Sequence, residues 1–330
     1  MRIVVLTTSY PSPEHPVAGH FVAAAVEGVR GRGIDVEVVS PASFPHFGIA
    51  YGDGIAQNLR RAPWKLPFVP GFLGAFSYAA RRAARDADLV HAHWIPSAVA
   101  ACASGKPYVL QVWGTDVELA RRAPALVRPW VRAARLVVAA SSFLAREAAA
   151  LGARDVEVVP AGVPIPDHVG EPDEPPHVLF AGRLSEEKGI LEFVEATAGL
   201  PRVILGDGPL RGRVPEALGF VAPGEMGAHY ERAAVVCTPS RREGYGLTAR
   251  EAMAYGRPVV ATRAGGLADL GDAAVLVSAA GLRDAITGLL ADPAKREALG
   301  AKARDAALAS FSPTASAERL VAAYRRALSA

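Results

Sequence analysis

Four charged residues in the second half of the chain stand where they could handle a phosphate or a sugar. Arg183 and Lys188 lie five positions apart in residues 181–189, AGRLSEEKG, directly after the apolar run HVLF. Two cations at the end of a strand can neutralise a diphosphate as charge develops on a leaving group. A solvated turn would hold the same pair, and composition alone does not separate these readings. Glu243 and Glu251 fall eight positions apart in residues 239–266, PSRREGYGLTAREAMAYGRPVVATRAGG. Eight residues make about 2.2 helical turns, so two fully helical glutamates would diverge by roughly 80°. With Glu243 in a Gly-rich turn after the strand AAVVCTP, and Glu251 on a helix beginning near Tyr245, both can face one side. A carboxylate within the apolar stretch AREAMAYG is costly without donors, and sugar hydroxyls are donors. The alternative is a helix-start acid stabilised by the macrodipole, with a second glutamate on the surface.

Two glycine-bearing turns join this set. The segment TTSYPSPEHPVAGHF leaves a strand at Thr8 and enters a helix near Ala18 or Gly19, where exposed amides favour phosphate. An ordinary βα loop lengthened by prolines would read the same way. GDGPLRG, residues 206–212, superficially matches a dinucleotide fingerprint, but its third glycine comes one residue late and Pro209 sits in the turn. A tight strand-to-helix turn near a ligand fits better than a nicotinamide site.

The elements that must position these residues follow from hydrophobic patterning. Short β-type runs (IVVLTT, VEVVS, DLVHAH, YVLQVWG, ARLVVAAS, VEVVPAGV) alternate with Ala-rich amphipathic stretches, the mark of βαβ units and a parallel sheet covered on both faces. Residues 160–176, PAGVPIPDHVGEPDEPP, are too rich in proline and acid for a strand or helix core, and the pattern restarts beyond them with HVLFAGR, RVILGDG, LGFVA, AAVVCTPS, PVVATRAGG and AAVLVS. The expectation is two doubly wound α/β domains, 1–165 and 166–330, with a ligand cleft between them at the carboxyl ends of both sheets and a C-terminal helix packing back on the first.

Composition narrows the class. With 51% hydrophobic and 21% charged residues, a disordered or low-complexity chain is excluded. Cys102 and Cys237 sit far apart in apolar runs and read as small core hydrophobes, against a disulfide scaffold or a Cys-based zinc site. The opening MRIVVLTTSYP lacks the charged leader and longer apolar core of a secretory signal, and no apolar run reaches the roughly 18 residues of a span, so a cytoplasmic protein is expected. Residues 1–165 carry 17 Lys and Arg against 12 Asp and Glu, whereas the remainder is slightly acidic. Within that basic half, residues 60–85 (RRAPWKLPFVPGFLGAFSYAARRAAR) hold six cations and no acid, interleaved with Trp64, Phe68, Phe72, Phe76 and Tyr78. Such a surface suits an anionic membrane and a lipid-linked or anionic acceptor; a helix with core aromatics and solvated arginines is the competing reading. A second basic segment spans 121–135, and with no nucleic-acid motif beside either, nucleic acid is not expected as a partner.

The second-half motifs resemble those of the family 4 retaining glycosyltransferases, which have the GT-B fold of two facing Rossmann-like domains. Glu243 and Glu251 match the family's E-x7-E signature, AGRLSEEKG its diphosphate-binding G-R-x-x-x-x-K-G segment, and GDGPL, LGFVAPGEM, CTPS and TRAGG follow in the family's order. The resemblance covers essentially the whole chain; in the first half TTSYP, GHF, HAHW and WGTD are similar to a bacterial subgroup acting on cell-envelope or exopolysaccharide sugars. It implies that a nucleotide diphosphate sugar is the donor, that Arg183 and Lys188 hold its diphosphate, that Glu243 sits by the donor sugar and Glu251 on the ribose hydroxyls. It further implies that the Gly244, Tyr245, Gly246 and Leu247 amides reach sugar and phosphate, that Val221 flanks the base, and that Gly19 lets the first loop close. Many members have His-Gly-x-Asp where this chain has Trp113, Gly114, Thr115 and Asp116. Trp113 cannot accept a proton, which leaves His93 and His20, with Trp113 and Asp116 themselves, as candidate polar contacts to sugar or acceptor. The implied reaction retains anomeric configuration without an enzyme nucleophile, and neither a metal nor another cofactor is expected. A sugar-nucleotide epimerase and a non-catalytic nucleotide-sugar binding protein are the alternatives.

Overall fold

The computed structural model describes residues 1–51 and 54–329. The chain forms two compact units: Met1–Gly162 together with the chain from Pro313 onward, and Val163–Ser312. The division falls inside the Pro-rich stretch, three residues before the expected 165/166 boundary, and the last helix belongs to the first unit.

In the first unit six strands, β1 (Arg2–Leu6), β2 (Asp35–Val39), β3 (Leu89–His93), β4 (Tyr108–Val112), β5 (Leu136–Ala139) and β6 (Val156–Val158), make one parallel sheet in the order β2-β1-β3-β4-β5-β6. β3 and β4 are buried along their whole length, as strands covered on both faces require. Pro313 ends the preceding helix and starts the Pro313–Ser329 helix, which packs along the His20–Arg30 helix. A Cβ on Gly28 would lie 3.0 Å from the Ala317 Cβ, so glycine permits this close helix pairing. Leu320, Val321 and Tyr324 of the returning helix join the core of Ile3, Val5 and Leu89. Tyr324 Oη lies 2.7 Å from His91 Nδ1, and Arg326 pairs with Asp155 at 2.7 Å and Glu157 at 3.0 Å.

The second unit has five strands, β7 (Val178–Ala181), β8 (Arg202–Leu205), β9 (Val235–Thr238), β10 (Val259–Thr262) and β11 (Val275–Val277), all parallel in the order β11-β10-β9-β7-β8. Alternate residues supply opposite faces, Val178 and Phe180 to one core cluster and Leu179 and Ala181 to the other. Several details differ from the sequence expectation. LGFVA forms no strand: Gly219, at φ 92, makes an isolated bridge to Gly206 and the chain turns away. The helix expected near Tyr245 begins at Leu247, after Gly246 in the left-handed region. Cys102 lies on the exposed side of the Ile95–Ala103 helix, while Cys237 is buried in β9 with its thiol pKa raised by burial. Of the aromatics in 60–85, Phe72 and Phe76 are core, whereas Trp64, Phe68 and Tyr78 are exposed.

Candidate functional site

Strand order reverses between β7 and β9 in the second unit, and open parallel sheets bind ligands outside the carboxyl ends of strands at such a reversal. The turn after β7, residues 182–189, and the loop after β9, residues 239–246, meet there. Gly189 has φ 71, and a Cβ on it would lie 2.0 Å from the Pro239 carbonyl oxygen; only glycine allows the two segments to approach this closely. Arg241 N also donates to Glu187 O at 2.8 Å. The GDGPL turn packs beneath, because Gly206 and Gly208 would place Cβ atoms 1.9 Å from Gly182 O and 2.6 Å from Leu184 O.

This scaffold brings Lys188 and Glu243 together. Lys188 Nζ donates to Glu243 Oε2 at 2.7 Å, and Ser240 Oγ donates to the same oxygen at 3.3 Å. The side chains are 30% and 15% exposed, so each charge is partly desolvated and depends on its partner. Arg183 projects from the same turn, exposed and without an ion pair among the described residues. Glu251 is held elsewhere: Tyr230 Oη donates to its Oε2 at 2.6 Å, which offsets within the protein the burial cost that sugar hydroxyls were expected to meet. Burial, and then the Glu251 charge, push the Tyr230 phenol well above its usual pKa, so Tyr230 remains a donor. Val221 packs on the core cluster that contains Ala249, Ala252 and Met253 of the Glu251 helix. Leu247 opens that helix, and Thr248 Oγ1 donates to Ala181 O at 3.2 Å, tying the helix start to the end of β7.

Arg250 escaped the sequence reading. It is buried, its Nη1 donates to the Tyr245 carbonyl, its Nη2 to Gly266 O at 3.3 Å, and its guanidinium lies 3.8 Å from the Tyr245 ring centroid. Gly266 N in turn donates to Glu243 O at 3.0 Å. Arg250 thus fastens residues 243–246 to the 265–266 turn, and the buried Tyr245 ring serves as its platform. Desolvation lowers the Arg250 pKa, yet a guanidinium stays charged. A charged residue beside the second glutamate of an otherwise apolar helix was the available signal.

The first unit reverses strand order between β1 and β3. Gly19 caps the His20–Arg30 helix at φ 58, and a Cβ on it would lie 2.2 Å from Ser9 O. His20 is exposed. At the carboxyl ends of β3 and β4, Trp113 Nε1 donates to His93 Nδ1 at 3.2 Å over a stacked pair of rings, and Phe21 and Trp94 lie 4.5 Å and 6.3 Å from the Trp113 ring. His93 is buried, and desolvation followed by the neighbouring His91 lowers its pKa well below the ordinary value, so it is neutral. Asp116 is buried too: its carboxylate accepts from Trp113 N at 3.1 Å, Gly114 N at 2.9 Å and Ile95 N at 3.2 Å, joining the turns after β3 and β4. Burial raises its pKa, against which these backbone donors work. Of the four contacts expected here, His20 and Trp113 retain accessible surface.

The single D-x-D triplet, Asp86 to Asp88, lies at the opposite, amino end of β3, where Asp88 Oδ2 accepts from Arg2 N at 2.7 Å. Among the described residues no three His, Cys, Asp or Glu side chains are grouped as a metal site, and no helix is long and apolar enough to cross a membrane.

Comparison with known proteins decides what this geometry belongs to. Residues 18–165 match the family model described as Glycosyltransferase Family 4, and residues 175–292 the one described as Glycosyl transferases group 1. A D-inositol 3-phosphate glycosyltransferase of Xylanimonas cellulosilytica is 31% identical over 304 aligned positions, spanning 72% of this chain and 73% of that protein. The chain belongs to glycosyltransferase family 4. A putative teichuronic acid biosynthesis glycosyltransferase of Bacillus subtilis, TuaC, is 29% identical across 82% of this family 4 chain and 83% of its own length. Anabaena HepE, solved with UDP and glucose, superimposes with a TM-score of 0.72 at 19% identity, covering 98% of this chain and 99% of that one. The two parallel α/β units are those of the GT-B fold, and the family 4 protein is a glycosyltransferase.

Proposed function

We propose that the protein is a retaining, metal-independent hexosyltransferase that moves a sugar from a UDP- or GDP-sugar to an acceptor hydroxyl, the acceptor being a lipid-linked or cell-envelope glycan or a small molecule, and that it works in the cytoplasm at the inner face of the membrane. The observation that carries the donor half of this reading is the Lys188–Glu243 pair at the β7/β9 reversal, with Arg183 unpaired beside Lys188. Arg183 and Lys188 meet the diphosphate, Glu243 holds Lys188 and faces the donor sugar, Glu251 takes the ribose hydroxyls, and residues 244–247 present their amides. Val221 borders the base. HepE in its complex with UDP and glucose supports a uridine donor. The first unit takes the acceptor.

In this mechanism the bond between the anomeric carbon and the β-phosphate oxygen breaks while the acceptor oxygen bonds to the same face. The departing phosphate oxygen takes the acceptor's proton, so no enzyme base or nucleophile is required. Arg183 and Lys188 stabilise the charge that grows on that phosphate, commonly the largest catalytic term. TuaC and the D-inositol 3-phosphate glycosyltransferase are named for quite different products, in keeping with an acceptor chosen by first-unit contacts rather than by the shared second-unit motifs.

Thermal unfolding of the protein with UDP, GDP, ADP, TDP and their sugars tests the reading. A ligand at 100 times its Kd adds about 2.7 kcal/mol to the folded state. One nucleotide family is expected to raise the Tm, in EDTA as well as with Mg²⁺, and Lys188→Ala and Glu251→Ala are expected to lose the shift. No shift with any nucleotide, or a shift that needs the divalent ion, would overturn the donor assignment or its metal independence respectively.

A further inference from the structure

Four exposed apolar side chains of the first unit, Phe47, Trp64, Leu66 and Phe68, gather at one short element and the loop beside it. In the 3-10 helix Pro63–Phe68, two prolines hold the backbone and leave Trp64 70%, Leu66 56% and Phe68 49% exposed. Phe47, itself 44% exposed, stacks on Phe68 with ring centroids 5.8 Å apart. Its backbone is in the left-handed region at φ 53, a conformation that bulky residues rarely adopt and that surrounding structure must impose. Gly71 provides the seat: a Cβ there would lie 3.5 Å from the Phe47 ring. Lys65 Nζ donates to Gly48 O at 2.8 Å and so ties the 3-10 turn to the Phe47 loop. The Val69–Ala83 helix that follows has Phe72, Phe76 and Ala80 on its core side and Gly74, the 72% exposed Tyr78, Arg81 and Arg82 on its opposite side, with exposed Arg85 in the 3-10 turn beyond its end.

We infer that this surface, Phe47 with Trp64, Leu66, Phe68 and Tyr78, docks the protein on an anionic lipid bilayer. Exposed apolar side chains clustered on one turn and the loop stacked on it mark an interaction surface rather than the usual scatter of single residues. What covers it follows from the flanking charge. Residues 60–85 hold six cations and no acid, complementary to phospholipid headgroups, while tryptophan and tyrosine are the side chains that settle at the boundary between headgroups and acyl chains. An apolar wedge together with a polybasic flank provides the two signals that stable peripheral attachment needs. The inference extends the proposed membrane-face function by assigning the surface responsible, and it does not depend on the donor chemistry.

Sedimentation with vesicles tests it using the full chain and no substrate. Wild type is expected to pellet with phosphatidylcholine vesicles containing about a third phosphatidylglycerol, to remain in solution with pure phosphatidylcholine, and to release in high salt. The triple variant Trp64→Ser, Leu66→Ser, Phe68→Ser and the charge variant Arg81→Glu, Arg82→Glu, Arg85→Glu are each expected to bind at least about tenfold more weakly. Unchanged Tm and an unchanged nucleotide-induced shift would show that both variants fold. Wild type ignoring the anionic vesicles, or both folded variants binding as wild type does, would overturn the docking surface. A nucleotide shift without vesicle binding leaves the donor reading standing and removes this one, and the converse result does the reverse.

Discussion

The two units use the same device at their strand-order reversals and build opposite chemistry on it. In each, a left-handed glycine caps the helix after the unit's first strand and abuts a backbone carbonyl, Gly19 that of Ser9 in its own loop and Gly189 that of Pro239 in the loop after β9. Beyond that glycine the second unit gathers charge: Lys188, Glu243 and Arg183, braced by the buried Arg250. The first gathers Phe21, Trp94 and Trp113 over two buried neutral histidines, and its one carboxylate, Asp116, is saturated by backbone donors. A shared backbone solution therefore does not set the ligand. The side chains at the loop ends do, and they divide into a charged set and an aromatic set, which the proposed function assigns to a nucleotide diphosphate and to the faces of sugar rings respectively.

Removing charge from the second set should have the largest effect. Lys188→Ala is expected to lower kcat/KM for the donor about 100- to 1000-fold, the range for loss of one group that stabilises transition-state charge. Trp113→Phe should leave nucleotide binding intact and instead cost about 1–3 kcal/mol in denaturant unfolding, because the His93 acceptor it leaves is buried. Equal losses of nucleotide affinity in both variants would erase the contrast.

The shared glycines should respond alike in stability and differently in function. Gly19→Ala and Gly189→Ala each drive a Cβ into a fixed carbonyl at a left-handed φ, with an expected cost above about 2 kcal/mol. Only the Gly189 substitution should also weaken nucleotide binding, measured by calorimetry on the fraction that remains folded.

Acid should distinguish the units by a smaller amount. Burial lowers the His91 pKa to about 3 and that of His93 well below 6.5. The unfolded chain therefore takes up protons that the folded first unit excludes. Their contribution is complete above the unfolded value and is lost as pH falls from about 6.5 towards the folded one, by about 1.4 kcal/mol per pH unit for each histidine. Asp116, raised by burial, works in the opposite sense at lower pH. In the second unit His177 is also lowered, with Asp173 opposing the shift. Urea midpoints between about pH 7 and 5 should fall for the first unit more than for the second; a flat first-unit transition would contradict the burial of both rings.

Much of this was legible beforehand because its signals are local. β7 and β9, the turns that follow them and the paired positions 183/188 and 243/251 lie in short contiguous segments whose residue types report their own conformation. The helix spacing of Phe72, Phe76 and Ala80 likewise separates the core aromatics from the exposed Trp64 and Phe68, a distinction that composition does not carry. LGFVA misled because its apolar run outweighed Gly219, whose backbone angle ends the strand.

The sequence by itself determined two parallel α/β units divided in the Pro-rich stretch, the glycines that allow close loop approach, and the cations and carboxylates that make a phosphate and sugar site chemically possible. Tertiary structure alone decided which of those charges meet. Lys188 pairs with Glu243 across 55 residues, Tyr230 donates to one oxygen of Glu251, Arg250 is drawn inside to brace the loop, and Tyr324 returns from the last helix to His91. The physical reason is range. Backbone preference and hydrophobic period act over a few residues and can be read in place, whereas the partner of a buried charge is set by which distant segments the packed sheet brings within a hydrogen bond's reach.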